Sequence, residues 1–390
     1  MSPQAHNDSA LFAHGPPMGV QRRLGLVTPN RLYTGRRALL VVLIGWVPIV
    51  LLTVAQVALR GGDDITSLLQ ETGAHARYLV AAPLLIIAEA QWAMYLGATM
   101  RHFVEAQLVP DGRRTEFDTA VASTLRLLNS IAAEIAVFAL AYSLAALSVF
   151  PQAFDQIPAW HRSAGIVPGY SAAGWWHVLV SLPLLLVLIF GWLWRLALWA
   201  RLLWLISRLD LRLIASHPDH AGGLGFVGHS LSSFSIVGLA LASIAAGRSA
   251  HFVLLGGTVP TPNLFFNLGF LVFLLALFLA PLLVFTPTLL RLWKRGTVAY
   301  GALAARVGEE FESKWLNRGN IDRAALEKPD FSATADLYSV VSNVFAIRFV
   351  PVDLKTLIAL STVLVLPFAP VVLLAIPINT ILQSLQKLLF

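Results

Sequence analysis

Cysteine is absent from the 390-residue chain. That excludes disulfide scaffolds, thiolate metal centres, iron–sulfur clusters and cysteine nucleophiles. Charge is scarce as well: Asp, Glu, Lys and Arg make up 13% of the residues, about half of the roughly 25% typical of soluble chains. Several catalytic signatures are missing. There is no GxxxxGK[ST] phosphate loop, no HExxH, no GxSxG and no aspartate-rich phosphotransferase pattern. No internal repeat is evident, which leaves an inverted-repeat transporter without support from the sequence.

Apolar residues fill the gap, at 57% of the chain with a mean hydropathy of +0.72. They fall in long blocks that a soluble core of this size could not hide. A bilayer span takes about 20 predominantly apolar residues, and seven segments qualify: 38–59, 78–99, 127–149, 175–204, 231–247, 265–290 and 356–378. The expected fold is an all-α polytopic transmembrane bundle. Residues 1–37 read as a disordered cytoplasmic tail, 38–290 as spans one to six, 291–355 as a cytoplasmic helical hairpin, and 356–390 as the last span with an amphipathic end. Within the hairpin, helices are expected over 297–317 and 336–347, with a polar turn at 317–320.

Lys and Arg divide unevenly between alternate sides. With seven spans, 23 of the 28 lie on the side of the tail and of loop 291–355. The positive-inside rule then puts the N-terminus in the cytoplasm and the C-terminus outside. The net charge of +7 reflects this topology signal. It is spread over several loops rather than gathered in one patch, so nucleic acid is not expected as a partner. The bilayer is. A second copy of the chain or a membrane protein docked on loop 291–355 would also fit.

Two carboxylates fall inside spans, Glu89 in the second and Glu134 in the third. An ionisable group at that depth is costly and marks a functional site by default. Arg126, Ser130 and Glu134 recur at i, i+4 and i+8, which on one helix makes a polar stripe. Glu89 and Glu134 could relay protons or cations, or could be paired structurally and fix helix register. In the fourth span, Trp192, Trp194, Arg195, Trp199, Arg201 and Trp204 read as interfacial anchors, with Arg195 stacking on Trp192 or Trp199 and snorkelling to the inner interface, or alternatively pairing with a buried glutamate. Gly238, Ala242 and Ala246 form a small-residue stripe on the fifth span, suited to close helix packing. Prolines in five spans (Pro48, Pro83, Pro183, Pro281 with Pro287, Pro367 with Pro370 and Pro377) predict bent or broken helices.

The densest polar cluster is His217-Pro-Asp219-His220-Ala-Gly222-Gly223-Leu-Gly225-Phe-Val-Gly-His229. Three readings remain open for it. His217, Asp219 and His220 could ligate a divalent metal, although their spacing matches no standard zinc pattern. The glycines and Asp219 could instead build an interfacial turn, with Asp219 as cap, or the segment could be re-entrant and line a polar cavity. The formal GxGxxG within it follows a membrane helix rather than a strand, so it carries no dinucleotide reading. No cofactor is implied.

The stretch His217-Pro-Asp219-x-x-Gly222-Gly223-Leu-Gly225-Phe resembles a signature of uncharacterised bacterial multi-span membrane proteins. Arg101-His-Phe-Val-Glu-Ala-Gln-Leu-Val and Phe349-Val-Pro-Val-Asp are similar to the same group. The resemblance implies a bacterial inner-membrane location and no activity. From the residues, a transporter or channel-like protein leads. A membrane-embedded enzyme at the cytoplasmic interface and a non-catalytic assembly subunit are the alternatives.

Overall fold

The computed structural model describes residues 15–23, 25–26, 33–61, 64–149, 158–162, 169–255, 261–316 and 330–375. The described residues are helical, with one isolated backbone bridge between Arg162 and Tyr170 and no strand. A short N-terminal helix α1 (Met18–Arg23) precedes the apolar helix α2 (Thr34–Leu59). Next come α3 (Thr72–Glu105), α4 (Arg114–Leu128), α5 (Ile131–Leu147), α6 (Ala172–Ile206) and α7 (Gly225–Leu254). The chain continues through α8 (Asn263–Trp315), α9 (Asp330–Phe345) and α10 (Leu354–Ala375).

Six of these, α2, α3, α6, α7, α8 and α10, are long and apolar enough to cross a membrane. Their outer faces are apolar too: Leu51, Phe265, Phe266, Val272, Phe273, Leu283 and Ile358 are all exposed. Exposed apolar surface on this scale belongs in lipid rather than water. The third expected span differs from the rest. Expected over 127–149, it is mostly α5, which meets α4, part of the expected loop 100–126, at a bend of 45°, and the count reaches seven when this pair is taken as one span. The bend falls at Asn129–Ser130, where Ser130 leaves the helix and its hydroxyl accepts from the Ala133 N–H at 3.4 Å. Serine at an N-cap competes well with helix continuation.

The fifth expected span, read as the shortest, is a 30-residue helix and the most enclosed of the six. α7 packs against α3, α8 and α10. Its modest hydrophobicity reflects protein neighbours instead of lipid. Gly238 faces Leu364 and Phe278, and Gly247 faces Ala76 and Gly73, so the small-residue surface admits α10, α8 and α3. The sixth span and the expected amphipathic helix are one element, α8, narrowed to a 3₁₀ segment at Ala280–Phe285. Its polar half pairs with α9 as the expected hairpin, although α9 begins six residues earlier than the sequence indicated. The polar turn at 317–320 and the C-terminal segment 381–390 lie outside the described residues.

The prolines shape the helices in a consistent way. A proline cannot donate to the carbonyl four residues back and its ring crowds that carbonyl. Ahead of Pro83 and Pro183 the chain widens into π-turns at Ala76–Ala81 and His177–Ser181, where the Ala82 N–H donates to Arg77 O and the Leu182 N–H to His177 O. The two stretches share a short local repeat, Leu-Val-x-x-Pro-Leu-Leu, at 79–85 and 179–185. A 3₁₀ turn likewise encloses Pro367.

Inter-helix segments collect at two ends. At one end the Arg212 N–H donates to Leu108 O at 2.9 Å and the Arg348 N–H to His220 O at 2.7 Å. At the other, Thr72 Oγ1 donates to Gly247 O at 2.8 Å, and the His251 ring lies 2.9 Å from Gln70 O. Segments 106–113, 207–224 and 346–353 therefore share one end, as alternation requires when α4 and α5 together count as one span.

Packing around α7 gives a direct test. A Cβ at Gly238 would meet Leu364 Cδ2 at 2.6 Å, whereas one at Gly269 meets nothing within 4 Å. Gly238→Val is expected to lose about 1–3 kcal/mol by overpacking, and Gly269→Ala to be neutral or slightly stabilising. Thermal unfolding in detergent checks both.

Candidate functional site

Glu89 is buried in the middle of α3 and meets two guanidinium groups. Arg37 Nη2 donates to Oε2 at 2.5 Å, and Arg195 Nη2 donates to Oε1 at 3.0 Å. All three side chains are 1% exposed. An uncompensated charge in a low-dielectric interior is strongly disfavoured, and removing Glu89, which would leave both guanidiniums without a counter-charge, would cost about 3–5 kcal/mol. The cluster carries two positive charges against one negative. Arg37 Nε and Nη1 are enclosed and make no hydrogen bond.

Three helices are needed to assemble it. Arg37 sits in the first turn of α2, Glu89 follows Pro83 by six residues on α3, and Arg195 lies midway along α6. Tryptophans wall it. Trp192 Nε1 donates to Leu85 O at 2.9 Å, its ring lies 5.1 Å from the Arg195 guanidinium, and Trp92 packs edge-on against Trp192 and Trp199. Arg195 therefore does not snorkel, and Trp192 and Trp199 are core residues rather than interfacial anchors. Arg37 is likewise no tail residue. Taking both out of the positive-inside count leaves the sign of the bias unchanged.

The tail reading needs a second correction. Gly15, Pro16 and Pro17 are buried. A Cβ on Gly15 would lie 3.3 Å from Arg195 Nε, and one on Gly191 would lie 2.5 Å from Pro16 O. Both glycines are required for this approach. Further along, the Val20 N–H donates to Glu134 Oε1 at 2.9 Å, and Gly19 packs against the same carboxylate. Residues 15–23 thus run from the ion cluster to Glu134.

Beside this segment lies a cavity of about 490 Å³, lined by Gly15, Gly19, Arg23, Asn129, Ser130 and Glu134 among others. The structure brings Ser130 and Glu134 together there. Arg126 belongs to the last turn of α4, before the 45° bend, so the expected stripe of Arg126, Ser130 and Glu134 on one helix is not formed. Glu89 and Glu134 have separate partners and make no pair with each other.

The glycine–histidine segment is a tied turn. Asp219 accepts from the backbone N–H groups of Ala221, Gly223 and Gly225 at 2.8, 3.1 and 2.7 Å, and His217 Nδ1 approaches its Oδ1 at 2.7 Å. Left-handed φ values at His220, Gly222 and Gly223 close the turn, with Gly222 at +67° and Gly223 at +96°. Arg348 clamps it by donating from Nη2 to Asp219 O at 2.5 Å and from Nη1 to Val352 O at 2.8 Å. His229 lies in the second turn of α7, at the junction of its first short turn with the long run Ser230–Leu254. Both Asp219 oxygens are thus committed, and among the described residues no group of three His, Cys, Asp or Glu side chains is placed to hold a metal. The turn lies beside Leu108 and Leu292.

At the opposite end, the sequence reading missed a group built on the two π-turns. The His177 ring lies 4.7 Å from His161, 5.7 Å from Trp160 and 5.8 Å from Tyr78, and the buried Ser181 follows one turn on. Neither His177 nitrogen, nor Ser181 Oγ, nor Trp160 Nε1 makes a hydrogen bond. Burial, with the Arg77 charge adding to it, holds His161 down to about 3, so it is neutral at physiological pH. Along α3 and α6, the stretches between this group and the ion cluster carry Ala81, Leu85, Leu185 and Leu188, all buried members of the main apolar cluster.

The chain matches no known protein family, no curated protein and no solved structure.

Asp219 allows a pH test. Its burial raises the carboxyl pKa, but the amides of Ala221, Gly225 and Gly223 and the His217 contact outweigh that and lower it. A depressed carboxylate stabilises the fold above its unfolded pKa and loses that contribution as pH falls through the folded value. Asp219→Asn is therefore expected to destabilise the chain most at neutral pH, with the gap to wild type narrowing on acidification below about 4. Thermal unfolding at graded pH reads the difference.

Proposed function

We propose that the chain is a membrane transport protein of a bacterial inner membrane, with segments 105–113, 207–229 and 291–352 in the cytoplasm and the C-terminus outside. One observation carries the reading: the broken helices α3 and α6 hold, along one contact, an inner ion cluster and an outer polar group separated by an apolar layer. Ionisable groups inside spans, on helices interrupted by wide turns, are the usual materials of a substrate path. A purely structural bundle needs neither the surplus charge nor the enclosed donors, each of which lowers its stability.

The conformation described is closed at both levels. Residues 15–23 lie against the ion cluster and Glu134, and the buried Leu85, Leu185 and Leu188 stand between the two polar groups along α3 and α6. The positive-inside bias and the resemblance of the 217–226 stretch support the orientation and the location. The enzyme alternative relied on His217, Asp219 and His220 as a metal set, and the turn uses Asp219 for other purposes.

Flux through proteoliposomes tests the proposal. A side chain at Gly19 would strike the Glu134 carboxylate and displace α1 without touching Arg37, Glu89 or Arg195. With stopped-flow light scattering under acetate, phosphate, chloride or sorbitol gradients, at least one solute is expected to cross faster than in protein-free vesicles. Gly19→Val is expected to be faster again. Rates equal to protein-free vesicles for every solute, in both proteins, would contradict it.

A further inference from the structure

We infer that the Arg37–Glu89–Arg195 cluster is a binding site for an oxyanion, a carboxylate or phosphate group, approached from the 490 Å³ cavity past residues 15–17. The inference gives the substrate class of the transport reading and rests on it for its physiological meaning, although the site itself does not require transport.

Charge is the first argument. Two guanidiniums and one carboxylate leave a surplus positive charge at 1% exposure, and a bound anion would cancel it where solvent cannot. Donor geometry is the second. Glu89 uses one nitrogen of each arginine, and Arg37 Nε and Nη1 remain without acceptors. Nε and Nη1 lie on opposite edges of the guanidinium, and each shares its edge with Nη2, which gives one of its two hydrogens to Glu89. The second Nη2 hydrogen with the donor on its edge makes a planar fork for two oxygens of a carboxylate or phosphate, and the remaining nitrogen donates singly, a recognition that a spherical halide cannot complete.

Access is the third argument. The cavity is lined by Gly15 and Pro16, and Arg195 Nε stands directly behind Gly15. Movement of one short segment would open the route. The carboxylate of Glu134, which also lines the cavity, accepts from the Val20 N–H, so displacing α1 would both open the site and free a negative charge at its mouth.

The test uses the full-length chain in nonionic detergent. Sodium acetate, inorganic phosphate and dioctanoyl phosphatidylglycerol are compared with sodium chloride at equal ionic strength, by thermal stabilisation and titration calorimetry. Two variants accompany them. Arg37→Gln leaves Glu89 and Arg195 as a neutral pair, so the fold is expected to survive. Arg36→Gln alters the neighbouring exposed arginine, which stacks on Tyr33. Acetate or phosphate is expected to bind and stabilise the wild type beyond chloride, with affinity falling about tenfold or more in Arg37→Gln and unchanged in Arg36→Gln. Binding of the lipid alone, with the same dependence on Arg37, would support the oxyanion site and assign it to a headgroup. No binding beyond chloride, or equal binding by wild type and Arg37→Gln, would overturn it. Binding without flux in proteoliposomes would keep the site and remove the transport reading.

Discussion

A carboxylate deep in an apolar bundle has to be met by positive charge, and the way Glu89 is met organises this molecule. Two arginines from different helices converge on its two oxygens, so α2, α3 and α6 are pinned at one level. Neither arginine can slide by a turn without leaving a charge unpaired, which sets the register of all three helices more sharply than packing of leucines against leucines could. The tryptophan wall follows from the same demand. Trp192 covers one guanidinium and ties its own indole to Leu85 O. Even the close approach of Pro16 to Gly191 is centred on the cluster.

Much of the architecture was legible in the sequence because bilayer physics acts on long segments. Twenty-residue apolar runs and alternating arginine bias yield helices and their pairing at two ends without knowledge of any contact. What the runs hide is where a helix breaks and which polar residue meets which. Ser130 reads as one more member of a helical stripe until its hydroxyl caps the next helix. The fifth span looks too short because residues such as Ser230, Ser233 and Ser249 are polar, yet all three are buried against protein, where lipid hydropathy does not apply.

The candidate site was half legible. Glu89 stands out as an intramembrane acid, and pairing of Arg195 with a buried glutamate is the minority reading beside interfacial anchoring. A buried carboxylate requires a cation, and Arg195, flanked by Trp192 and Trp199 in the centre of a span, was available on composition alone. Arg37 was harder to see, since an arginine at the edge of an apolar run normally reports topology. The group of His161, His177 and Ser181 gave no pattern because its members come from a loop and a π-turn. That turn is detectable only through the proline that follows. The glycine–histidine segment was the opposite case: conspicuous in sequence, and in three dimensions a turn whose acceptors are consumed by its own amides and by Arg348.

Stability in a double-mutant cycle on Glu89 and Arg195 probes the account at its base. If the two charges are one interaction, Glu89→Gln and Arg195→Gln together should cost less than the sum of the single losses, with a coupling of about 1–3 kcal/mol. Losses that simply add, to within about 0.5 kcal/mol, would mean that Glu89 is not held by Arg195 and that the ion cluster does not organise the bundle.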